Sequence, residues 1–463
     1  MNWRMVLEAM LPENLLLAGI VALLVLEIAS AGKPRAALWV AVSAVAAACA
    51  AAFGLSLEGY GAAPFPGQFA VDGTALLAKA IVLALAIPSL LISRDDFPGR
   101  TFHVLVLSSL YGACLMVSAD SFLTLFLGIE LLSLPVYALV VLAYRRPESA
   151  EAALKYLVLG GTASATLLMG AALLFGASGS LGLESFRLAL DSRDGFAVAG
   201  VLLVLVAFFL KAAVAPFHTW APDAYDAASV PVTAFMATLV KAAVLLAAAR
   251  LFGTAPLGPA ATGIIAALPL LSIAWGNLAA MRQPGLRRMI AYSSVAHAGY
   301  LFYAFLGEGA LRFQAIAFYV LAYGVMNLLA FAVLPPDGDD RARDRLDNLK
   351  GLVHRQPYAA VALAIAMLSL AGLPPFPGFI AKFLIFKNAI AAGYTLYGVL
   401  GLVGSYLGIY FYLRVVQYLF MSEAPAGTRS CAPGGLAAGA GLLCLAAAVV
   451  MSVAPGWVID LLP

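Results

Sequence analysis

Four ionisable residues stand where the surrounding chain offers no water: Glu130 in FLGIELLSLPVYALV (126–140), Lys211 in FFLKAAVAP (208–216), Lys241 in ATLVKAAV (237–244) and Lys382 in GFIAKF (378–383). Each basic group at the centre of a membrane would cost about 2.5 to 3.5 kcal/mol, so each needs a partner or a purpose. One carboxylate cannot neutralise three cations, which leaves some of the lysines neutral or hydrated. A desolvated lysine gains and loses a proton near neutral pH, the property a proton relay requires. Two imidazoles extend the set. His218 follows Lys211 and could pass protons to the cytoplasmic face, while His297 reads equally as a relay group or a satisfied core histidine. Lys155 lies one helical turn from Glu151, an interfacial salt bridge or, in a second reading, a modulator of Glu130.

Prolines interrupt the helices around two of these lysines. Lys211 is followed by Pro216 and Pro222, and Lys382 is preceded by Pro374, Pro375 and Pro377. Proline removes a backbone donor and clashes with the preceding turn, so both helices should break within about one and a half turns of their lysine. Backbone left unpaired at that depth is tolerated only against protein or a hydrated cavity, which marks a transport pathway.

The elements that must hold these groups follow from composition. The 463 residues are 63% apolar and 11% charged, against roughly 25% charged in a soluble domain. The apolar residues run on for about 20 positions at a time, which fits helices and excludes the alternating segments of a membrane barrel. Fourteen spans are expected, at 11–30, 36–56, 74–93, 102–119, 121–144, 152–176, 195–216, 229–249, 256–280, 289–306, 313–334, 358–391, 396–421 and 434–453. The odd-numbered loops carry fifteen Lys and Arg and all other extramembrane segments five. Odd loops are therefore cytoplasmic and both termini lie outside. The first run, with Arg4 set against Glu8 and Glu13, is a poor cleavable signal.

Seven basic residues remain within spans. Besides the four lysines already named, Lys79, Lys387 and Arg414 lie near span ends and are expected to snorkel to the headgroups. Glu130 is expected to be the one deep carboxylate. Cys49, Cys114, Cys431 and Cys444 are scattered, without a metal or disulfide pattern. The net charge of +3 gives no nucleic-acid footprint. The polar stretch from Pro335 to Pro357 reads as a solvated loop or a docking strip for a neighbouring subunit.

Laying spans 4–8 on spans 9–13 sets Glu130 and Lys211, 81 residues apart, on His297 and Lys382, 85 residues apart. An offset of five spans reverses orientation, giving an inverted repeat. The expected organisation is an all-α polytopic membrane protein: helices 1–3 in 1–100, a first five-helix repeat in 101–253, a second, inverted one in 254–421 and a last helix in 422–463.

With the strings FLGIELLSLPVYALV (126–140), FFLKAAVAPFHTWAPDAYDAASVPVTAFMATLVKAAV (208–244), GNLAAMRQPGLRRMIAYSSVAHAGY (276–300) and LAGLPPFPGFIAKF (370–383), the chain resembles the subunit N family of proton-pumping NADH:quinone oxidoreductase, respiratory complex I, among the antiporter-like membrane subunits. One departure is AAS at 227–229, where that family usually has a Gly-Ala-Pro turn. The resemblance implies that Glu130, Lys211, Lys241 and Lys382 form the proton relay; His218, His297, Lys155 and Glu151 are supporting candidates by their own positions. It also implies that redox energy released on partners shifts charge at one end and moves protons outward. Flavin, iron–sulfur clusters and quinone are then expected on partner subunits, with no cofactor or metal in this chain. Its setting would be the bacterial inner membrane, among neighbouring membrane-arm subunits. Two other classes remain open: a free-standing cation/proton antiporter, or a subunit of a related hydrogenase-type complex, and an inert scaffold whose buried charges only staple helices.

Overall fold

The computed structural model describes residues 3–29, 34–94, 96–97, 99–142, 147–307, 309–334, 344–423 and 433–462. The helices, in chain order, are α1 (Trp3–Ala9), α2 (Leu11–Ala29), α3 (Pro34–Leu57), α4 (Gly73–Ile92), α5 (Thr101–Val117), α6 (Phe122–Leu142), α7 (Pro147–Ser178), α8 (Glu184–Ala189), α9 (Gly195–Ala212), α10 (Trp220–Ala227), α11 (Val230–Phe235), α12 (Lys241–Phe252), α13 (Pro259–Ala280), α14 (Leu286–Tyr303), α15 (Ala310–Ala332), α16 (Leu352–Arg355), α17 (Pro357–Ala371), α18 (Pro377–Ala391), α19 (Thr395–Met421), α20 (Gly435–Val453) and α21 (Pro455–Ile459). Between α3 and α4 lies a small antiparallel hairpin, β1 (Ala62–Phe65) and β2 (Phe69–Val71), which the all-helical expectation missed.

Among the described residues, twelve helical segments are long and apolar enough to cross a membrane. The expected fourth span is the shorter helix α5, and the expected twelfth is split between α17 and α18 at the predicted proline break. Starts are set by local chemistry: the Asp72 and Asp194 carboxylates accept from the Ala75 and Ala197 N–H groups at 2.8 and 2.9 Å, and Pro259, Pro357 and Pro377 open helices where a missing N–H costs nothing.

Two sets of loops gather at opposite ends. At one, the hairpin bridges to Ala119, Ser121 to Gly182, Arg250 to Asp72, and Arg312 to the Gly253 carbonyl, joining the connections after the expected spans 2, 4, 6, 8 and 10. At the other, Ser149 bonds the Ala227 carbonyl, Arg287 bonds Ala228 and Asp344, and the Gly351 N–H reaches Tyr418, joining the connections after spans 5, 7, 9 and 11. Chains that cross and recross would produce this alternation.

The segment from α11 to α12 is buried at every residue but Arg250, and α14 and α15 almost so, whereas α2, α3, α19 and α20 turn apolar side chains such as Leu24, Trp39, Tyr406 and Leu442 outward. A helix apolar on every side belongs inside a bundle. Small residues let the helices approach: a Cβ at Gly128 would lie 2.7 Å from the Met116 backbone, and one at Gly299 2.5 Å from the Pro269 carbonyl, so α6 meets α5 and α14 meets α13 through glycine.

Three expectations about charge are corrected. Lys79 does not snorkel: it is fully buried and pairs at 2.7 Å with Glu13, equally buried, because the first turn of the outer helix α2 faces this carboxylate inward. Glu13 is thus a second carboxylate withdrawn from water, in the first turn of α2 rather than at the depth of Glu130. Arg414 does not reach for headgroups either; its guanidinium donates to the Met281 and Gln283 carbonyls at 2.7 and 2.9 Å, where α13 leaves its last acceptors unpaired. In the polar stretch, Asp344 is buried against Arg287 at 2.7 Å, and Leu346 and Leu349 pack into the core, so that part is no solvated strip. Residues 335–343, Lys33 and Cys431 lie outside the described residues.

Candidate functional site

The first polar group forms where α6, α7 and α9 meet. Lys211 Nζ stands 3.8 Å from Glu130 Oε1 and donates to Ser133 Oγ at 3.3 Å, and the Ser164 hydroxyl donates to the same Glu130 oxygen. At an effective dielectric of 20, such a separation is worth about 4 kcal/mol. Lys211 occupies the last turn of α9, where carbonyl dipoles favour a cation. The break is as the prolines predict. Ala213 takes a left-handed φ of 61°, the Val214 N–H returns to the Phe209 carbonyl at 2.9 Å, and Trp220 Nε1 caps the Leu210 carbonyl at 3.0 Å. The side chain of Lys211 is 8% exposed and that of Glu130 24%, so the carboxylate opens on the flank of the bundle.

Lys241 sits deeper, 4% exposed, at the end of a π-helical turn, Met236–Val240, that no proline or glycine announces. Its ammonium donates to the Ser294 carbonyl at 2.5 Å and also to the Ser294 hydroxyl, and it lies 5.8 Å from the centre of the Tyr323 ring. Tyr225, buried on α10, holds its hydroxyl 3.5 Å from Ser294 Oγ.

Lys382, 7% exposed, lies across the second break. Helix α17 ends at Gly372, whose φ of 82° closes the turn, and this frees the carbonyls of Leu370 and Ala371. Lys382 Nζ donates to both, at 3.1 and 3.0 Å, and to Ser405 Oγ at 2.9 Å, with the Tyr300 ring 4.9 Å away. Thus the break itself supplies the acceptors. Between the two lysines, His297 is held on both sides: Nδ1 lies 2.8 Å from the Tyr319 hydroxyl and Nε2 3.0 Å from that of Tyr412, which is 2.5 Å from Ser293 Oγ. A neutral imidazole has one N–H and one acceptor, so one tyrosine donates while the other accepts. Ser294, His297 and Tyr300 follow one another along α14, carrying polar groups from Lys241 towards Lys382 over about 9 Å of helix rise.

The remaining candidates stand apart. Lys155 pairs with Glu151 at 2.8 Å and with Asp223 at 2.9 Å, in an open crevice rather than beside Glu130. His218 accepts from Trp275 Nε1 at 2.9 Å; burial pushes its imidazole below the ordinary value, so the ring is a neutral acceptor at pH 7. Among the described residues, no hydrogen bond joins it to the lysines, and none joins Lys211 to Lys241. Between Lys211 and α12 lies a cavity of about 10 Å³, lined by Ile129, Phe208 and Val244 among others. No group of three or more His, Cys, Asp or Glu among the described residues converges as metal ligands would. Charge alone missed Ser133, Ser164, Ser405, Tyr225 and Tyr412. The signal for the serines and Tyr412 was a hydroxyl inside an apolar run, a feature shared with Ser293, Ser294 and Tyr300 of AYSSVAHAGY (291–300), whereas Tyr225 stands between two aspartates.

Residues 119–408, which include all four relay candidates, match the family model described as NADH:quinone oxidoreductase/Mrp antiporter, transmembrane. The chain belongs to that family. Subunit N of the NADH-quinone oxidoreductase from Pelobacter propionicus is 40% identical over 421 residues, covering 90% of each chain. A chain of respiratory complex I from Thermus thermophilus superposes with a TM-score of 0.84 at 35% identity, over 97% of this chain and 98% of that one. A chain of the Mrp complex from a Dietzia species reaches a TM-score of 0.83 at 22% identity, over 98% and 96%, and shares the fold. Within the NADH:quinone oxidoreductase/Mrp antiporter family, the subunit N relative is thus similar along nearly the whole length. The antiporter-like resemblance of the sequence and the membrane-bundle fold both stand.

Proposed function

We propose that this chain is the proton-translocating subunit N of a bacterial NADH:quinone oxidoreductase, with Glu130, Lys211, Lys241 and Lys382 as its relay and His297 as the connecting group. The observation that carries the reading is the polar row on α14, where Ser294 holds Lys241, His297 is bracketed by tyrosines, and Tyr300 underlies Lys382. Hydroxyls and an imidazole in contact can hand a proton on without any of them leaving its place. Redox energy reaches the chain as a change of charge near Glu130: loss or gain of an interaction worth about 4 kcal/mol is enough to load or unload a lysine.

Several further points belong to this reading. The glycine-mediated approaches of α5 to α6 and of α13 to α14 occupy matching places in the two five-helix units, 101–253 and 254–421, and support the inverted repeat. The alternation of loops, with the basic excess in the odd ones, supports an inner-membrane protein with both termini outside. A carboxylate 24% exposed on the flank of a membrane bundle is costly against lipid, which supports a neighbouring subunit over Glu130. Flavin, iron–sulfur clusters and quinone then belong to partners.

The test is Lys211→Ala and Lys382→Ala in the intact complex, reconstituted in vesicles. Each should assemble and lose protons pumped per NADH oxidised; normal pumping with either lysine removed rejects the assignment. Sodium or potassium exchange for protons by the chain alone would replace it with a free-standing antiporter.

A further inference from the structure

Lys211 stands on a helix end that has to be held. It lies in the last turn of α9, one residue before Ala212 closes the helix, and the final carbonyls of a helix have no partner within it. An end left so frays, and drift at Lys211 changes its separation from Glu130. One side chain from beyond the break bears on this end. Trp220, buried at the start of α10, donates its indole N–H at 3.0 Å to the carbonyl of Leu210, the residue before Lys211. The same ring lies flat on Tyr156 of α7, with centroids 4.2 Å apart and planes 3° from parallel, and Tyr156 meets Tyr137 of α6 edge to face at 4.6 Å. Tyr137 is about one turn from Ser133, which accepts from Lys211, and Tyr156 about two turns from Ser164, which donates to Glu130. Trp220 is thereby linked to each of the three helices, α6, α7 and α9, that carry the first polar group. The second break is built without an indole. Its turn closes in the same way, the Leu373 N–H returning to the Leu368 carbonyl at 3.2 Å as that of Val214 does to Phe209. In the register of Trp220 it has Phe379, which offers no N–H and is 40% exposed. There the lysine is bound by the backbone of the break itself, whereas Lys211 depends on an acid carried by another helix.

Resting on the proton-translocating reading above, we propose that Trp220 is a positioning residue of the relay: its indole N–H and its stack on Tyr156 together set the separation of Lys211 from Glu130. With the end of α9 tied, the ammonium stays 3.8 Å from the carboxylate, and a change of charge at Glu130 is felt in full at Lys211. The attraction falls as the inverse of distance, so a loosened end weakens the response of the lysine to its acid. Trp220 takes no part in proton transfer; it acts through the Leu210 carbonyl and the face of Tyr156.

The experiment uses the whole complex in vesicles, with NADH oxidation and proton pumping measured together for Trp220→Phe and, as the control, Lys211→Ala. The carboxylate band of Glu130 is followed in the same preparations by infrared difference spectroscopy and assigned by its loss in Glu130→Gln. Trp220→Phe keeps a ring on Tyr156 and removes the N–H. It should assemble, pump on the order of tenfold fewer protons per NADH, the factor that matches one lost hydrogen bond, and move the Glu130 band. A packing defect elsewhere would lower pumping and leave the band in place. Wild-type pumping by Trp220→Phe with Lys211→Ala inactive overturns the positioning role alone, and so does a loss of pumping with the band unmoved. Wild-type pumping by Lys211→Ala overturns the function on which that role rests. Should Trp220→Phe not assemble, Tyr156→Leu, which keeps the indole and removes the ring it lies on, decides by the same two measurements.

Discussion

The ion pair between Glu13 and Lys79 should behave as a register pin whose two halves matter only together. Both side chains are 0% exposed and 2.7 Å apart, Lys79 lies 5.0 Å from the centre of the Phe69 ring, and Glu13 Oε2 has no hydrogen-bond partner. At an effective dielectric of 20 the attraction is about 6 kcal/mol. Withdrawing the two charges from water costs several kcal/mol each, so the pair as a whole comes out near zero. Removing one partner does not: Glu13→Gln strands a buried ammonium and should destabilise the packing of α2 on α4 and α5 by about 3 to 5 kcal/mol. The double change Glu13→Leu with Lys79→Leu should be neutral or stabilising by about 1 to 4 kcal/mol. Cys114, fully buried on α5, reports the opening. Its alkylation rate in the purified complex, followed by peptide mass, should rise steeply in Glu13→Gln and return to wild type or below in the double variant. Pumping should survive in the double variant, because neither residue touches the relay. A single variant as protected as wild type, or a double variant as reactive as the single, would refute the reasoning.

Gly372→Ala should cost activity before stability. A Cβ there would lie 2.8 Å from Lys382 Cδ at a φ of 82°, displacing the ammonium from the Leu370 and Ala371 carbonyls. The strain of the left-handed residue itself is only about 1 to 2 kcal/mol; assembled complex with reduced pumping is the expected outcome, and normal pumping counts against Lys382 as a relay member. At the hairpin end, burial pushes the Asp72 carboxyl up, but Arg250, Thr74 and the Ala75 N–H together bring it below its ordinary value of 3.8. A lowered value means that the contribution of Arg250–Asp72 is complete above pH 3.8 and fades as pH falls through the folded-state value. Asp72→Asn retains the helix cap and should remove that acid dependence from thermal unfolding between neutral and strongly acid pH; an unchanged acid profile would show the staple to be idle.

How far the sequence reached is visible residue by residue. Lys211 and Lys382 were legible because charge in an apolar run and proline beside it are both local signals, and the structure puts the breaks where they fall. The π turn before Lys241 was not, since Met236–Val240 contains neither proline nor glycine and is set by packing from all sides. Lys79 misled because its distance from a span end fits snorkelling, while its partner lies 66 positions away in sequence. The hairpin had a signal in APFPGQF (63–69), overshadowed by the two long apolar runs around it. Serine and tyrosine carry no formal charge, so a census of ions passed over the hydroxyls that hold the ions in place.

Those hydroxyls and the broken helices answer the imbalance of three amines against one carboxylate. Lys382 is held by two carbonyls that exist as free acceptors only because α17 stops at Gly372, and Lys241 by the carbonyl and hydroxyl of one serine. Such acceptors stabilise an ammonium, yet when the proton leaves they keep a neutral amine hydrogen-bonded and leave no bare anion in the membrane. A carboxylate partner does the opposite: deprotonating a lysine beside it strands a buried negative charge that costs several kcal/mol. A chain built only of Glu–Lys pairs would therefore hold its protons fast. On the proposed function, one such pair at Lys211, where Glu130 can be addressed from the flank, and carbonyl-held lysines beyond it would give a row with one charge-sensitive end and members that release their protons readily.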